Sequence, residues 1–202
     1  WVSPWVRSCA LYALKEEGGQ DGIEVAKAFV DDGEPLIRET ALWVTGERKR
    51  VRHPSDTEFD EQAEESPMLL TIERVLVLKS VKLFEAVPEE VLAALAAVME
   101  ERECRAGEAV YEKGGTGRSM YIIAEGEVRV HDGDRTFVTL GEREFFGELT
   151  TLDPAPHSAN VSTNVATRLL VLDREGLYEL MSDHPEVLRE IIHELCGRLR
   201  RK

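Results

Sequence analysis

FGELTTLDPAPHSANV, residues 146–161, is the stretch whose reading decides the rest of the chain. A tight Gly147-Glu148 turn stands close to a Pro156-His157-Ser158-Ala159 segment, with the spacing of a loop that cradles a phosphate. Glycine at such a turn lets the backbone approach a ligand closely. An anion-gripping loop is expected to carry a permanent positive charge, which arginine supplies and histidine largely lacks at neutral pH. His157 occupies that place.

Around the loop, apolar and polar residues alternate over short runs at 108–111, 120–123, 128–130, 137–140, 159–161 and 168–172. Glycines at 107, 114, 115, 117, 126, 133 and 141 separate them. Many short strands with glycine punctuation predict a small antiparallel barrel or jelly roll. Helices flank it. A helical stretch over 68–84 leads to a helix started by Pro88, Glu89 and Glu90, with an apolar stripe of Val91, Leu92, Leu95, Val98 and Met99. After the strands, Asp173 suits an N-cap and Pro185 restarts a second helix. That last helix carries the stripe Leu188, Ile191, Ile192, Leu195 and Leu199, and ends in Arg198, Arg200, Arg201 and Lys202. The stripe needs a cover, either its own barrel, a ligand edge, or the same helix of a second subunit in a homodimer.

The N-terminal region contains an internal repeat. SPWVRSCAL at 3–11 and EPLIRETAL at 34–42 both run Pro, any residue, Val or Ile, Arg, two residues, Ala, Leu, and Arg7 precedes Arg38 by 38 − 7 = 31 residues. Apolar residues recur at helical spacing in Val6, Ala10, Leu14 and in Ile37, Ala41, Val44, and 23–30 forms a helical stripe between them. This pattern resembles HEAT-type helical repeats, which implies a stack of helix pairs. A generic helical hairpin is the alternative. From Arg48 the pattern stops. The cluster Arg48, Lys49, Arg50 and Arg52 is followed by an acidic tract, so 48–67 reads as a linker between helical repeats at 1–47 and a second domain at 68–202.

Composition removes several function classes. The 202 residues carry 25 Lys+Arg against 39 Asp+Glu, a net charge of -14 that repels nucleic-acid phosphates and anionic membranes. The longest apolar run, near 91–99, is about half of what spans a bilayer, so membrane insertion is not expected. Cys9, Cys104 and Cys196 lie far apart without CxxC pairing, which predicts neither a zinc site nor a disulfide framework and fits a reducing cytoplasm. Glu148 and Asp153 share a loop, but no nucleophile, base and orienting group can be assembled, so no catalytic residue and no enzyme activity are expected. A metal or haem role for His157 lacks partners, since His131, His184 and Cys104 are distant. The chain opens on Trp1 inside a helical pattern, and the expectation is an excerpt from a longer protein.

The order of elements, together with LKSVKLFEAVPEEVL, RAGEAVYEKGGTGRSMYIIAEGEVRV, and FGEL followed by Pro156, Ser158 and Ala159, resembles the cyclic nucleotide-binding domain of the catabolite activator protein and kinase regulatory subunits. The fold expected is therefore α+β: a HEAT-like α-α region followed by a cyclic-nucleotide-binding β-roll with flanking helices. The resemblance implies that the turn at Phe146 and Gly147 opens a short helix whose N–H groups face a cyclic phosphate. It further implies that Glu148 accepts from the ribose 2′-hydroxyl and Ser158 reaches a phosphate oxygen. By the same resemblance Phe146, Leu149, Pro156 and Ala159 belong to the ligand-binding loop, and Val161 with a wall drawn from Val110, Ile123 and Leu149 would bracket sugar and base. Leu188, Ile191 or Leu195 would cap the purine.

Members that bind tightly usually carry Arg after the Pro. A fork-shaped guanidinium matches two phosphate oxygens, and losing one arm and its charge weakens binding by about 10- to 150-fold. Three readings of His157 remain open: a weakened phosphate ligand, a surface-loop residue in a domain that has lost nucleotide binding, or a contact to a different anion. Thr150 and Asn160, polar where many relatives differ, suggest a remodelled pocket. The expected function is a bacterial, cytoplasmic regulatory sensor that binds cyclic AMP, cyclic GMP or a related anion and signals through its final helix. The alternatives are a ligand-free protein-interaction scaffold and a regulatory fragment of a transporter or transcription regulator, whose parent could be membrane-associated. No resident cofactor is expected beyond such a nucleotide, and the remaining partners are another protein or the rest of the parent chain.

Overall fold

The structure, a computed structural model, describes residues 2–47 and 68–200. The linker expected at 48–67, with its basic cluster, lies outside the described residues, as do Arg201 and Lys202 and the side chains of Arg198 and Leu199. The chain forms two compact units, Trp1–Glu73 and Arg74–Lys202.

In the first unit, α1 (Pro4–Glu17) and α3 (Pro35–Thr45) each begin on proline, where the missing N–H is no loss. The Ser3 hydroxyl caps α1 by accepting from the Val6 amide. Between them α2 (Gly19–Lys27) ends three residues short of the predicted stripe, because the chain turns at 28–31. Leu11, Ala26, Ile37, Ala41 and Val44 form its core, with Leu14, Phe29, Val30 and Trp43 against it. The two repeated arginines converge on one turn: Arg7 pairs with the Asp32 carboxylate at 2.9 Å, and Arg38 donates to the Asp32 carbonyl at 2.7 Å. The repeat thus has a physical purpose within three helices, although a HEAT-type array is not shown.

The second unit is an α+β roll. The helix α4 (Thr71–Ser80), a 3-10 turn at Lys82–Phe84 and α5 (Glu89–Val98) precede eight strands. These are β1 (Glu100–Cys104), β2 (Ala109–Tyr111), β3 (Ser119–Glu125), β4 (Val128–Asp132), β5 (Arg135–Leu140), β6 (Phe145–Phe146), β7 (Asn160–Thr163) and β8 (Thr167–Asp173). They pair antiparallel in two sheets, ordered β1-β8-β3-β6 and β2-β7-β4-β5. Cys104, Val110, Ile123, Val128, Leu140, Phe146, Val161 and Leu169 fill the space between, each large side chain contributing about 1.5–3 kcal/mol on burial.

Two of the eight strands escape the sequence pattern. β6 has only two residues, both buried. β1 reads EEREC, yet Glu101 is buried, because Arg168 and Arg74 each approach its carboxylate at 3.2 Å. Arg74 also donates to the Ala96 and Met99 carbonyls, and Arg168 pairs with Glu103 at 2.8 Å. A buried charge is tolerated when paired and hydrogen-bonded, so alternation of hydrophobicity is hidden beneath compensated charge.

Inside the loop that joins β6 to β7 lies α6 (Glu148–Leu152); beyond β8 come α7 (Arg174–Asp183) and α8 (Pro185–Arg200). Asp173 caps α7 by accepting from the Gly176 amide at 2.8 Å. The stripe expected on α8 is only partly covered. Ile191 is buried together with Val187, whereas Leu188 and Ile192 are exposed. Among the described residues no helix is long and apolar enough to cross a membrane.

Candidate functional site

The site is built on the connection between β6 and β7. Phe146 ends β6 in the core, and the chain then turns at Gly147, whose φ of +82° belongs to the left-handed region. A Cβ there would lie 2.8 Å from the Ser119 carbonyl oxygen, so both conformation and space require glycine. Glu148 follows as the first residue of α6 and is buried. The Gly147 carbonyl accepts from the Thr150 hydroxyl at 3.1 Å and from the Thr151 hydroxyl at 2.9 Å. These bonds fasten the first turn to its own threonines.

The far end of α6 is fastened from α7. Its last carbonyls have no partner within so short a helix. Arg174 spans two of them, with Nε donating to the Thr151 carbonyl at 2.8 Å and a terminal nitrogen donating to the Thr150 carbonyl. The Tyr178 hydroxyl donates to the Leu152 carbonyl at 2.8 Å.

After Pro156 the segment is stapled to the turn at 112–117. The Gly114 amide donates to the His157 carbonyl and the His157 amide to the Gly115 carbonyl, each at 2.8 Å. The His157 ring points inward. It is 6% exposed, which removes the surface-loop placement: the side chain is in the interior whatever it binds. Its ring stacks on Tyr111 with centroids 3.7 Å apart and planes within 7°. Its Nδ1 lies 3.5 Å from the Thr150 hydroxyl. Gly117 provides the room, since a Cβ there would stand 2.3 Å from His157 Nε2. Burial holds the imidazole pKa below its ordinary value.

The remaining expected residues divide clearly. Val110, Ile123 and Val161 are buried in the roll's core, within reach of the loop's base. Leu149 is 56% exposed and does not join that wall. Pro156 and Ser158 are exposed, and Ala159 is half-buried. Sequence reasoning missed Tyr111, Gly117, Arg174 and Tyr178. The glycine-rich 114–117 run was a usable signal for Gly117; nothing local marks Tyr111, which lies far from His157 in sequence. Among the described residues no three His, Cys, Asp or Glu side chains gather as a metal site. Burial pushes the Cys104 thiol up to about 11, so it is a packing residue at neutral pH.

Comparison with known proteins gives this geometry its relatives. Residues 101–184 match the family model described as "Cyclic nucleotide-binding domain". The CRP-like cAMP-activated global transcriptional regulator of Mycobacterium tuberculosis is 30% identical over 130 residues, covering 62% of this chain and 58% of the regulator. A cyclic nucleotide-gated channel of Caenorhabditis elegans is 31% identical over 123 residues, covering 57% of this chain and 17% of the channel. The crystal structure of Thermus thermophilus catabolite activator protein superposes with a TM-score of 0.54 at 30% identity, covering 59% of this chain and 58% of that one. The chain thus spans little more than half of the bacterial regulators it matches, and the family model's match leaves the N-terminal helices aside. Strand topology and these matches together show that residues 101–184, the roll and α7, are similar to the cyclic nucleotide-binding domains of CRP-like regulators and cyclic nucleotide-gated channels.

Proposed function

We propose that this chain is a non-enzymatic sensor module that binds cyclic AMP, cyclic GMP or a related small anion weakly, and signals through α7 and α8. The observation that carries the reading is the loop's backbone frame. Gly147 turns left-handed into a buried Glu148, and the following segment returns His157 Nδ1 to 3.5 Å from the Thr150 hydroxyl of α6. Glu148 would take the ribose hydroxyl, the loop amides and Ser158 the phosphate, and His157 would stand where relatives place arginine. A phosphate beside the imidazole favours its charged form, so ligand and proton bind together. The three-helix unit, with its HEAT-like repeat, would dock the parent chain or a partner.

Titration calorimetry with cyclic AMP and cyclic GMP at about pH 6 and about pH 8 tests this. Affinity should rise as pH falls. His157→Arg should tighten binding by roughly 10-fold or more and remove most of the pH dependence. Absence of heat at millimolar concentrations of both nucleotides, for both proteins, would sink nucleotide sensing. One observation favours a second reading, a ligand-free scaffold: the His157 ring is already packed between Tyr111 and Gly117. In that case His157→Arg stays silent.

A further inference from the structure

We infer that Arg174 and Tyr178 of α7 form a latch that positions the His157-bearing loop, by clamping the C-terminal carbonyls of α6. Three donors from one helix meet three successive carbonyls of another: Arg174 takes Thr150 and Thr151, and Tyr178 takes Leu152. Helix ends are satisfied by such partners, and a guanidinium at a C-terminus is also favoured by the helix dipole. α6 has five residues, too few to be stable alone, so its position is set by what holds it. At one end stands the Gly147 turn, at the other α7. Thr150 joins the two ends of the problem, since its carbonyl is held by Arg174 and its hydroxyl faces His157 Nδ1 at 3.5 Å.

The groups facing His157 are the Tyr111 ring from β2, the Thr150 hydroxyl from α6 and the glycines at 115 and 117. The latch arginine acts on His157 through Thr150 and the α6 backbone. It is a positioning residue. α7 in turn packs on α8. A signal passing by this route to α8 rests on the proposed sensor function; the latch itself does not.

The decisive measurement therefore uses ligand-free protein. The His157 ring is titrated by proton NMR, assigned through His157→Asn, in the native chain and in Arg174→Gln, Arg174→Lys and Tyr178→Phe. In Arg174→Gln the ring should titrate at higher pH than in the native chain, because the loop opens to water. Amide exchange at 148–152 should rise by about tenfold, while strand amides of the two sheets stay protected. Arg174→Lys should fall between, since an ammonium is a poor match for two carbonyls at fixed spacing. Tyr178→Phe keeps the ring and loses one bond, and should raise exchange by a smaller factor. It carries the test alone should Arg174→Gln fail to fold. An unchanged His157 titration together with unchanged exchange at 148–152 overturns the latch. Cyclic AMP added to the native sample forms a separate arm: no binding there counts against the nucleotide reading and leaves the latch result standing.

Discussion

The two ends of the 146–161 stretch and its middle are held by different physics. Phe146 and Val161 sit in the core of the roll, packed among aliphatic and aromatic side chains, and they fix where the connection leaves and rejoins the sheets. The middle makes few such contacts. It is held by the Gly147 carbonyl accepting two threonine hydroxyls, by the Arg174 and Tyr178 clamp, by two backbone bonds to the glycine turn, and by one stacked imidazole. The ends are thus fixed by apolar packing and the middle mainly by hydrogen bonds, with the His157–Tyr111 stack joining the two.

Three perturbations probe that separation. Phe146→Ala attacks an end and should have the largest effect, about 3–5 kcal/mol of lost stability, read as a lower denaturant midpoint for the roll. A loss under about 1 kcal/mol would show that the ends are not what carries the fold. Gly117→Ala attacks the middle. A Cβ 2.3 Å from His157 Nε2 forces the ring off Tyr111, at a cost of about 1–3 kcal/mol. The strands should remain intact by far-ultraviolet circular dichroism, and the ring should titrate closer to its ordinary value. The smallest effect comes from acid. The folded His157 pKa lies below the ordinary value, so the folded state binds fewer protons than the unfolded chain as pH falls. The stability it contributes is complete above about pH 6.5 and is lost as pH falls through the folded pKa. Unfolding midpoints measured from about pH 7 to about pH 5 should fall less steeply in His157→Asn than in the native chain; equal slopes would mean that His157 is not buried in solution.

Much of the architecture was readable from residue order, for reasons the structure makes plain. Alternation follows burial in β2 and the first half of β3, whereas β5 buries only Leu140 and β8 buries successive residues on both faces, so those were legible as β-branched and apolar runs between glycines. β1 was hidden because its buried Glu101 looks like a surface residue until Arg74 and Arg168 are placed beside it. The turn at Gly147 was legible because a left-handed backbone demands a particular residue. The packing of His157 was not, since Tyr111 and Gly117 reach it only through the pairing of distant segments. The same holds for Arg174, which reads in sequence as an ordinary charge in the first turn of a helix. The final helix was legible as an apolar stripe, of which Ile191 is buried and Leu188 and Ile192 are exposed.

The buried charges between the first and last strands of the roll carry one more consequence. In the observed register Glu103 faces Arg168 and Glu101 faces Leu170. A slip by one residue would bring Arg102 opposite Arg168 and turn the carboxylate that neutralises the buried guanidiniums toward the opposite face of the sheet. The same slip would turn the aliphatic side chains of β1's partner to the wrong face, and it would leave a buried guanidinium without its carboxylate. The pairing of β1 with β8 therefore has its register fixed by charge as well as by apolar packing.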